Sequence, residues 1–508
     1  MKTDNFCVKL GLSAVLLISF LGCPVLASDY EANIEKSFSV TPGSKLVVDA
    51  DRGSVTVKTD AGDKVEVRVF RKIKGGSKEK AEESFKDHQV TLSQDGNSVS
   101  IVAKDKRKTR MISFGDSNLE VRYEINIPKR FDVDLKTSGG NVAIADLEGN
   151  VVARTSSGAI KLAHTTGSVT ALDSGGDISV EEVGGALTAR TSSGSITIVK
   201  ANEKVEAMDS GGNIKIIEAG TDVVVSTSSG SIKVGTVSGN VEARNSGGDI
   251  AIDSAGGNVS ASTSSGTIHV GEAKGERVTL RDSGGNIDVT SAAGTVSAET
   301  SSGSIKIKSG KGDISVRDSG GDIFVGEAGG AVLAQTSSGS IRVDTAQGTV
   351  DLKNSGGNIS IQNARSAASL STSSGSIRIG HAGGKIDARD SGGSITVSEA
   401  QDVVLAHTSS GEISVNFAAI PKSDSRIEVS GGGVKVGLPR SAGLDIDARA
   451  SGGNVVSSIP ITTVLNGSNP RGSIQGKING GGPALLLRSS SGDIRISETS
   501  TLKAEAEK

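Results

Sequence analysis

The chain has 508 residues with Gly 68, Trp 0, Tyr 2 and Phe 9, too few large side chains for the thick layered core that a chain of this length ordinarily builds. A formal net charge of -3 with both signs interspersed gives no global reason to expect nucleic acid as a partner. Glycine and serine this abundant indicate either a disordered linker or a repeat, and here they recur at fixed intervals, which excludes the linker.

In chain order, residues 1–27 read as a secretory signal peptide: Lys2 and Lys9, an apolar run from Leu10 to Leu21, then Val25, Leu26 and Ala27 before Ser28. The apolar run falls short of the roughly 20 residues that a spanning helix needs, and no later segment reaches that length. Cleavage after Ala27 removes Cys7 and Cys23 together, so the mature chain is expected to hold neither a thiol nor a disulfide. An alternative takes Phe20, Leu21, Gly22 and Cys23 as a lipobox with Cys23 acylated, but Val25 and Ala27 fit the small-residue cleavage rule better. The product is therefore expected in the periplasm or at the cell surface, with a lipid anchor at Cys23 as the lesser alternative.

Residues 28–135 form an expected N-terminal β-rich cap. Lys45 to Ala50, Ser54 to Lys58, Lys64 to Phe70, Ser98 to Ala103 and Glu120 to Ile127 alternate apolar and polar residues, and Lys78 to His88 has the pattern of a short amphipathic helix. Residues 136–415 repeat. TSSG ends at Gly158, DSGG at Gly176, TSSG at Gly194 and DSGG at Gly212, a step of 18 residues broken once by a step of 19 from Gly266 to Gly285. After each strong motif comes an alternating pair such as Ile178 and Val180. After a weaker punctuation nine residues on comes a second pair, such as Val205 and Ala207. Residues 416–497 continue the pattern loosely, with prolines at 421, 439, 460, 470 and 483, as expected of a C-terminal end and cap; residues 498–508 read as a flexible tail.

The fold class implied is all-β: a parallel β-solenoid, or β-helix, of 18-residue units between non-repeating β-rich caps. About four aliphatic side chains per unit cannot offset the entropy of ordering 18 residues, so units must stack, each strand pairing with the coils above and below. Because SSG and SGG motifs alternate, a coil of 36 residues is the competing geometry. The shorter coil is favoured by the small inward residues and by electrostatics: it holds Asp173, Asp209, Asp282, Asp318 and Asp390 two strand spacings apart, about 9.6 Å. The motif glycines are expected to supply positive φ, and the neighbouring Ser, Asn or Asp to bond nearby backbone.

The order VRYEINIP (Val121 to Pro128), LKTSGGNV (Leu135 to Val142), repeated TSSGSI units, KVGLPRSAGLDIDARASGGNVV (Lys435 to Val456) and LLLRSSSGDIRI (Leu485 to Ile496) resembles the bacterial putative-adhesin family of β-strand-repeat envelope proteins, a family of unknown function. The resemblance covers nearly all of the mature chain. It implies a β-helical envelope protein with no established enzymatic activity and no catalytic residues to carry over. The repeat block here is unusually long and regular for that family.

Three chemistries compete for the polar residues. Calcium-binding solenoids need G-G-x-G-x-D, whereas GGDISVEEV (Gly175 to Val183) has Ile178 in place of the second-turn glycine, so Asp177, Asp249 and Asp322 read as turn formers and no cofactor or metal is expected. Glycan cleavage needs a clustered acid and base, and His88, His164, His269, His381 and His407 share no motif. Anion binding has more behind it. Outward positions carry Lys161, Lys233, His269, Lys306, Arg342 and Arg378 in one strand type, and Arg244, Arg281, Arg317, Lys353 and Arg389 in the other. Of these, Lys233, Arg244, Arg281, Lys306, Arg317, Arg342, Arg378 and Arg389 are the candidate anion-binding stripe. Its expected partners are envelope polyanions or surface glycans. The plain alternative is that these residues balance neighbouring acids and guard the strands against aggregation. Lys104 to Arg110 reads as an exposed basic loop, ladders for ice are absent, and aromatic platforms for sugar are not expected. The functional expectation is an exported non-enzymatic rod acting as a structural or adhesive binding surface of the bacterial envelope. The alternative is a β-helical polysaccharide-degrading enzyme.

Overall fold

The computed structural model describes residues 29–75, 77–106, 119–463 and 472–499. The signal peptide, the cysteine at position 23, most of the basic run 104–110 and most of the tail lie outside the described residues.

Every coil is 18 residues long in the regular part of the repeat. Ile160 pairs with Ile178, Ile178 with Ile196 and Ile196 with Ile214, all in parallel register, and the one longer step appears as Val259 opposite Val278 and Ile268 opposite Ile287. Each coil gives one six-residue strand, such as Ile178–Val183, to a first sheet and one of four or five residues, such as Leu187–Arg190, to a second sheet. Ile178, Val180, Leu187 and Ala189 point into the space between the sheets and are fully buried, as alternation predicts. The longer strand then breaks phase. Two residues turn away from the core before Val183 turns back in, and the pairing skips from Val180 opposite Ile198 to Glu182 opposite Lys200. The strand bends there, and the inward corner is filled by a small side chain in coil after coil: Ala201, Ala219, Ala255, Ala273, Ala292.

The turn opposite that corner carries a buried polar column in which Thr alternates with Asp or Asn. Thr191, Asp209, Thr227, Asn245, Thr263 and Asp282 are each at most 7% exposed. A threonine hydroxyl donates to the glycine carbonyl of the coil below, as from Thr191 to Gly176 at 3.1 Å and from Thr227 to Gly212 at 3.0 Å. Aspartate has no proton donor to offer and instead gathers its own loop: Asp209 accepts from the N–H groups of Ser210 at 2.6 Å, Gly211 at 3.2 Å and Gly212 at 2.6 Å. Asn245 does both, accepting from Gly247 N–H at 3.2 Å and donating to the Gly230 carbonyl at 2.7 Å. Asp173 leaves its Oδ2 buried without a partner. Asp173→Asn should therefore raise stability by about 1 kcal/mol in denaturant unfolding, because the new amide can reach the Gly158 carbonyl as Asn245 reaches its own. Lower stability in that variant would show that the carboxylate's hold on its loop is worth more than the missing donor.

The motif glycines are not there for positive φ. Among the described repeat glycines only Gly411, at +105°, lies in that region. The last glycine of each motif instead lets adjacent coils touch: a Cβ on Gly194 would be driven within 3.0 Å of the Gly176 carbonyl, and one on Gly212 likewise onto that of Gly194. The third motif position is roomier, with a Cβ on Gly211 sitting 3.3 Å from Ser192 O, and alternate coils do carry serine there.

Both ends depart from sequence order. In the second sheet Ser44–Ala50 lies between Ser98–Asp105 and Phe131–Lys136, and in the first sheet Ser54–Asp60 lies between Leu119–Pro128 and Val142–Ile144. The first coil in sequence is thus stacked in register inside the rod. Beyond it the pairing turns antiparallel, and the two outermost edges are stitched together by Lys36 Nζ donating to Leu92 O at 3.0 Å and Gln94 Nε2 donating to Ser39 O at 2.9 Å. The helix Lys78–Asp87 forms as the pattern predicts, capped by Ser77 and burying Ala81. At the other end the last coil, Ala484–Ser489 and Ile494–Glu498, is inserted between the coil of Ser425–Gly431 and Val434–Leu438 and that of Leu444–Ala450 and Val455–Ser457. Ser473–Ile478 then closes the second sheet in antiparallel fashion. Such ends offer no long parallel edge for another rod to extend.

Candidate binding surface

Strand parity sends every second residue outward, so the stacked coils convert sequence positions into columns along the rod. The eight basic candidates fall into two columns on the two different sheets. Lys233, Lys306, Arg342 and Arg378 share a column of the first sheet, and Arg244, Arg281, Arg317 and Arg389 one of the second. All eight are exposed.

The two columns differ in what surrounds them. On the second sheet each of the four candidates has an acid within reach: Arg244 pairs with Glu242, Arg281 and Arg317 share Glu299 at 3.5 and 4.0 Å, and Arg389 forks onto Asp387 at 3.0 and 3.1 Å. Lys353 joins Asp351 in the same way at 2.9 Å. On the first sheet Arg342 binds Asp344 through Nε at 2.9 Å, while Lys233, Lys306 and Arg378 enter none of the ion pairs among the described residues. Exposed pairs contribute little to stability, but they do neutralise the local field, so within the candidate stripe Lys233, Lys306 and Arg378 are the cations left without a paired acid among the described residues, with Asp288 the cross-strand neighbour of Lys306.

Phe324 corrects an expectation. It is the repeat block's one aromatic residue and it points outward, half-buried, between Lys306 and Arg342, whose guanidinium lies 6.0 Å from the ring centroid. An aromatic platform is therefore present. The position directly after Ile323 was the available signal, since that parity is outward in every coil. Next to this column runs a trough of about 300 Å³ lined by Arg342, Asp344, Ser360, Gln362, Arg378 and Thr396. A longer trough on the second sheet, about 660 Å³, runs over Ser297, Ser315, Leu333, Asp351, Ser369 and Asp387. Two of its acids, Asp351 and Asp387, are the partners of Lys353 and Arg389.

The aspartates that follow the motif glycines are tied to the protein. Asp177, Asp249 and Asp322 each accept the backbone N–H of the residue 18 positions on, at 2.8, 2.7 and 2.7 Å, and so staple coil to coil. His164 Nδ1 donates to the Asp146 carboxylate at 2.9 Å on the exposed first sheet, and that hydrogen bond raises its pKa. His88 is enclosed in the N-terminal cap 3.4 Å from the Tyr123 hydroxyl, where burial first and the Arg71 charge second lower its pKa. No group of three His, Cys, Asp or Glu side chains is placed to hold a metal ion among the described residues.

The sequence profile of the Toastrack DUF4097 family matches residues 44–253, 235–347 and 330–497, which together take in both intercalated ends and the whole repeat. The chain belongs to the Toastrack DUF4097 family. Solved structures similar to this Toastrack chain include a putative cell adhesion protein from Clostridium sporogenes, 7% identical over 92% of this chain and 100% of that one with a TM-score of 0.15. A putative adhesin from Bacteroides fragilis is 15% identical over 56% of this chain and 97% of its own, with a TM-score of 0.20. A putative lipid binding protein from Parabacteroides distasonis is 12% identical over 63% and 93%, with a TM-score of 0.17. Scores this low carry no argument about the Toastrack chain's own shape or ligand. No curated protein matches it. No helix among the described residues is long and apolar enough to cross a membrane.

Proposed function

We propose that the protein is an exported, non-enzymatic rod that serves as a structural or adhesive surface of the bacterial cell envelope and holds polyanions on its first sheet. The observation that supports this reading is the line of cations on the first sheet at Lys306, Arg342 and Arg378, recurring every second coil, of which Lys306 and Arg378 enter none of the ion pairs among the described residues. Export rests on the signal-peptide pattern of residues 1–27, and mass spectrometry of the mature N-terminus separates cleavage after Ala27 from acylation of Cys23.

The competing reading, a polysaccharide-degrading enzyme, would put its acids in the second-sheet trough. There Asp351 and Asp387 are held by Lys353 and Arg389 rather than left to act on a substrate. The mature chain should be retained on an immobilised uronate or phosphodiester polymer at low salt and released as the Debye length shrinks below about 10 Å. Charge reversal by Arg342→Glu together with Arg378→Glu should abolish retention. Absence of retention at low salt, or turnover of the polymer, would reject the proposal.

A further inference from the structure

The polyanion reading leaves the class of polymer open, and the first-sheet column narrows it. Lys306, Arg342 and Arg378 occupy every second coil, so their positions recur at about 9.6 Å along one line. Between the first two cations the column presents the Phe324 ring, and between the last two it presents Ser360 beside the Gln362 amide. The trough alongside is lined by hydroxyls and an amide as well as by charge, with Ser360, Thr396 and Ser398 contributing.

Resting on the proposed polyanion-binding role, we infer that residues 305–398 of the first sheet form a binding strip for a linear acidic polysaccharide that carries one carboxylate on every second sugar and lies parallel to the rod axis. An extended chain of pyranoses advances by close to one strand spacing per sugar, so an acid on alternate sugars recurs at the interval of the cations. The neutral sugars between fall over Phe324 and Ser360. A sugar's C–H face suits an aromatic ring flanked by cations, and its hydroxyls and any acetamido group suit Gln362, Ser360 and Thr396. A phosphodiester polymer or a polymer charged at every sugar would satisfy the cations but would have no use for the ring, and would place half or more of its charges opposite Phe324, Ser360 and Asp344.

The test uses the full mature chain and labelled oligosaccharides ten sugars long: one of alternating glucuronate and N-acetylglucosamine, one of galacturonate throughout, and inorganic polyphosphate of similar length. The alternating polymer should bind at least tenfold tighter than either competitor at moderate salt. Phe324→Ala should weaken it about tenfold without changing the slope of log affinity against log salt. Arg342→Ala and Arg378→Ala should each weaken it and lower that slope by about one counterion. Arg244→Ala with Arg281→Ala, on the other sheet, should leave binding as it was. All these side chains are at least partly exposed, and unchanged melting of each variant will show that the rod is intact. If polyanions bind but Phe324→Ala has no effect, or the fully charged polymers bind as well as the alternating one, this inference falls and the broader reading stands. If none of the three polymers binds, both fall.

Discussion

Gly212→Ala should destabilise the rod by about 3 kcal/mol or more, while Gly211→Ser, one residue away in the same turn, should stay within about 0.5 kcal/mol of the parent. The difference follows from what each new Cβ would meet. At Gly212 it runs into the carbonyl of Gly194 in the coil below, and that carbonyl belongs to backbone that cannot swing aside. The Gly194–Gly212–Gly230 line continues in both directions, with each glycine leaning on the last, so one methyl group must push two coils apart and strain the Ile and Val ladders on either side. Gly212 O is also the acceptor for the Thr227 hydroxyl at 3.0 Å, so a displaced turn leaves a buried donor unmet. At Gly211 the nearest atom is Ser192 O at 3.3 Å, a contact that a slight shift relieves, and Ser193 and Ser229 already occupy the equivalent site in neighbouring coils. Denaturant unfolding of the two variants side by side is the measurement. Equal effects would mean that the last motif glycine does something other than let coils touch.

Truncation after Pro483 should be the most damaging change to the fold as a whole. It removes the coil that is last in sequence but not last in space, and with it Leu485, Leu487, Ile494 and Ile496, each fully buried. Their burial alone is on the order of 6 to 12 kcal/mol. The coils on either side, Ser425–Leu438 and Leu444–Ser457, lose their parallel partners, leaving open strand edges of matching register. The truncated chain should melt at lower temperature and self-associate in size-exclusion chromatography. Leu487→Ala is the milder counterpart, expected to cost about 2 to 5 kcal/mol without association. A truncated chain that stays monomeric with parental stability would show that the inserted coil is not a fastening.

The repeat is legible because pairing in register forces each Ile-x-Val to recur at the coil length, and sequence displays that period directly. The 18-residue coil also follows from sequence, through the cost of stacking like charges. What alternation does not show is the corner: Ala201 and Ala219 sit at the wrong parity for an inward residue, and only the bend after Ile198 and Ile216 turns them in. Thr191 and Asp209 read as polar turn residues because burial of a hydroxyl or carboxylate depends on partners a coil away or within its own loop. The motif glycines are plain in the sequence but their purpose is not, since a position without a side chain looks the same whether it needs positive φ or close approach. The out-of-order ends carry no sequence signal, because Leu485 meets Ser425 across a separation no motif marks. At the candidate surface the cations are legible, and so in principle are their neutralising partners, since Glu242 and Arg244 or Asp387 and Arg389 are two apart and share a strand face. Phe324 stands out in the sequence as the lone aromatic of the repeat block, and its place directly after Ile323 already gives it outward parity.

The central claim is one rod, with the coils that are first and last in sequence stacked inside it. The first sheet has 24 strands in a single line, two of which share one position beside Lys64–Ile73, so at about 4.8 Å per strand the rod is about 105 Å long. Small-angle X-ray scattering of the mature chain measures this directly. The profile of a thin cylinder with a radius of gyration of roughly 30 Å is the predicted result, and a globular profile near roughly 23 Å, as a compact domain of this length would give, would contradict it.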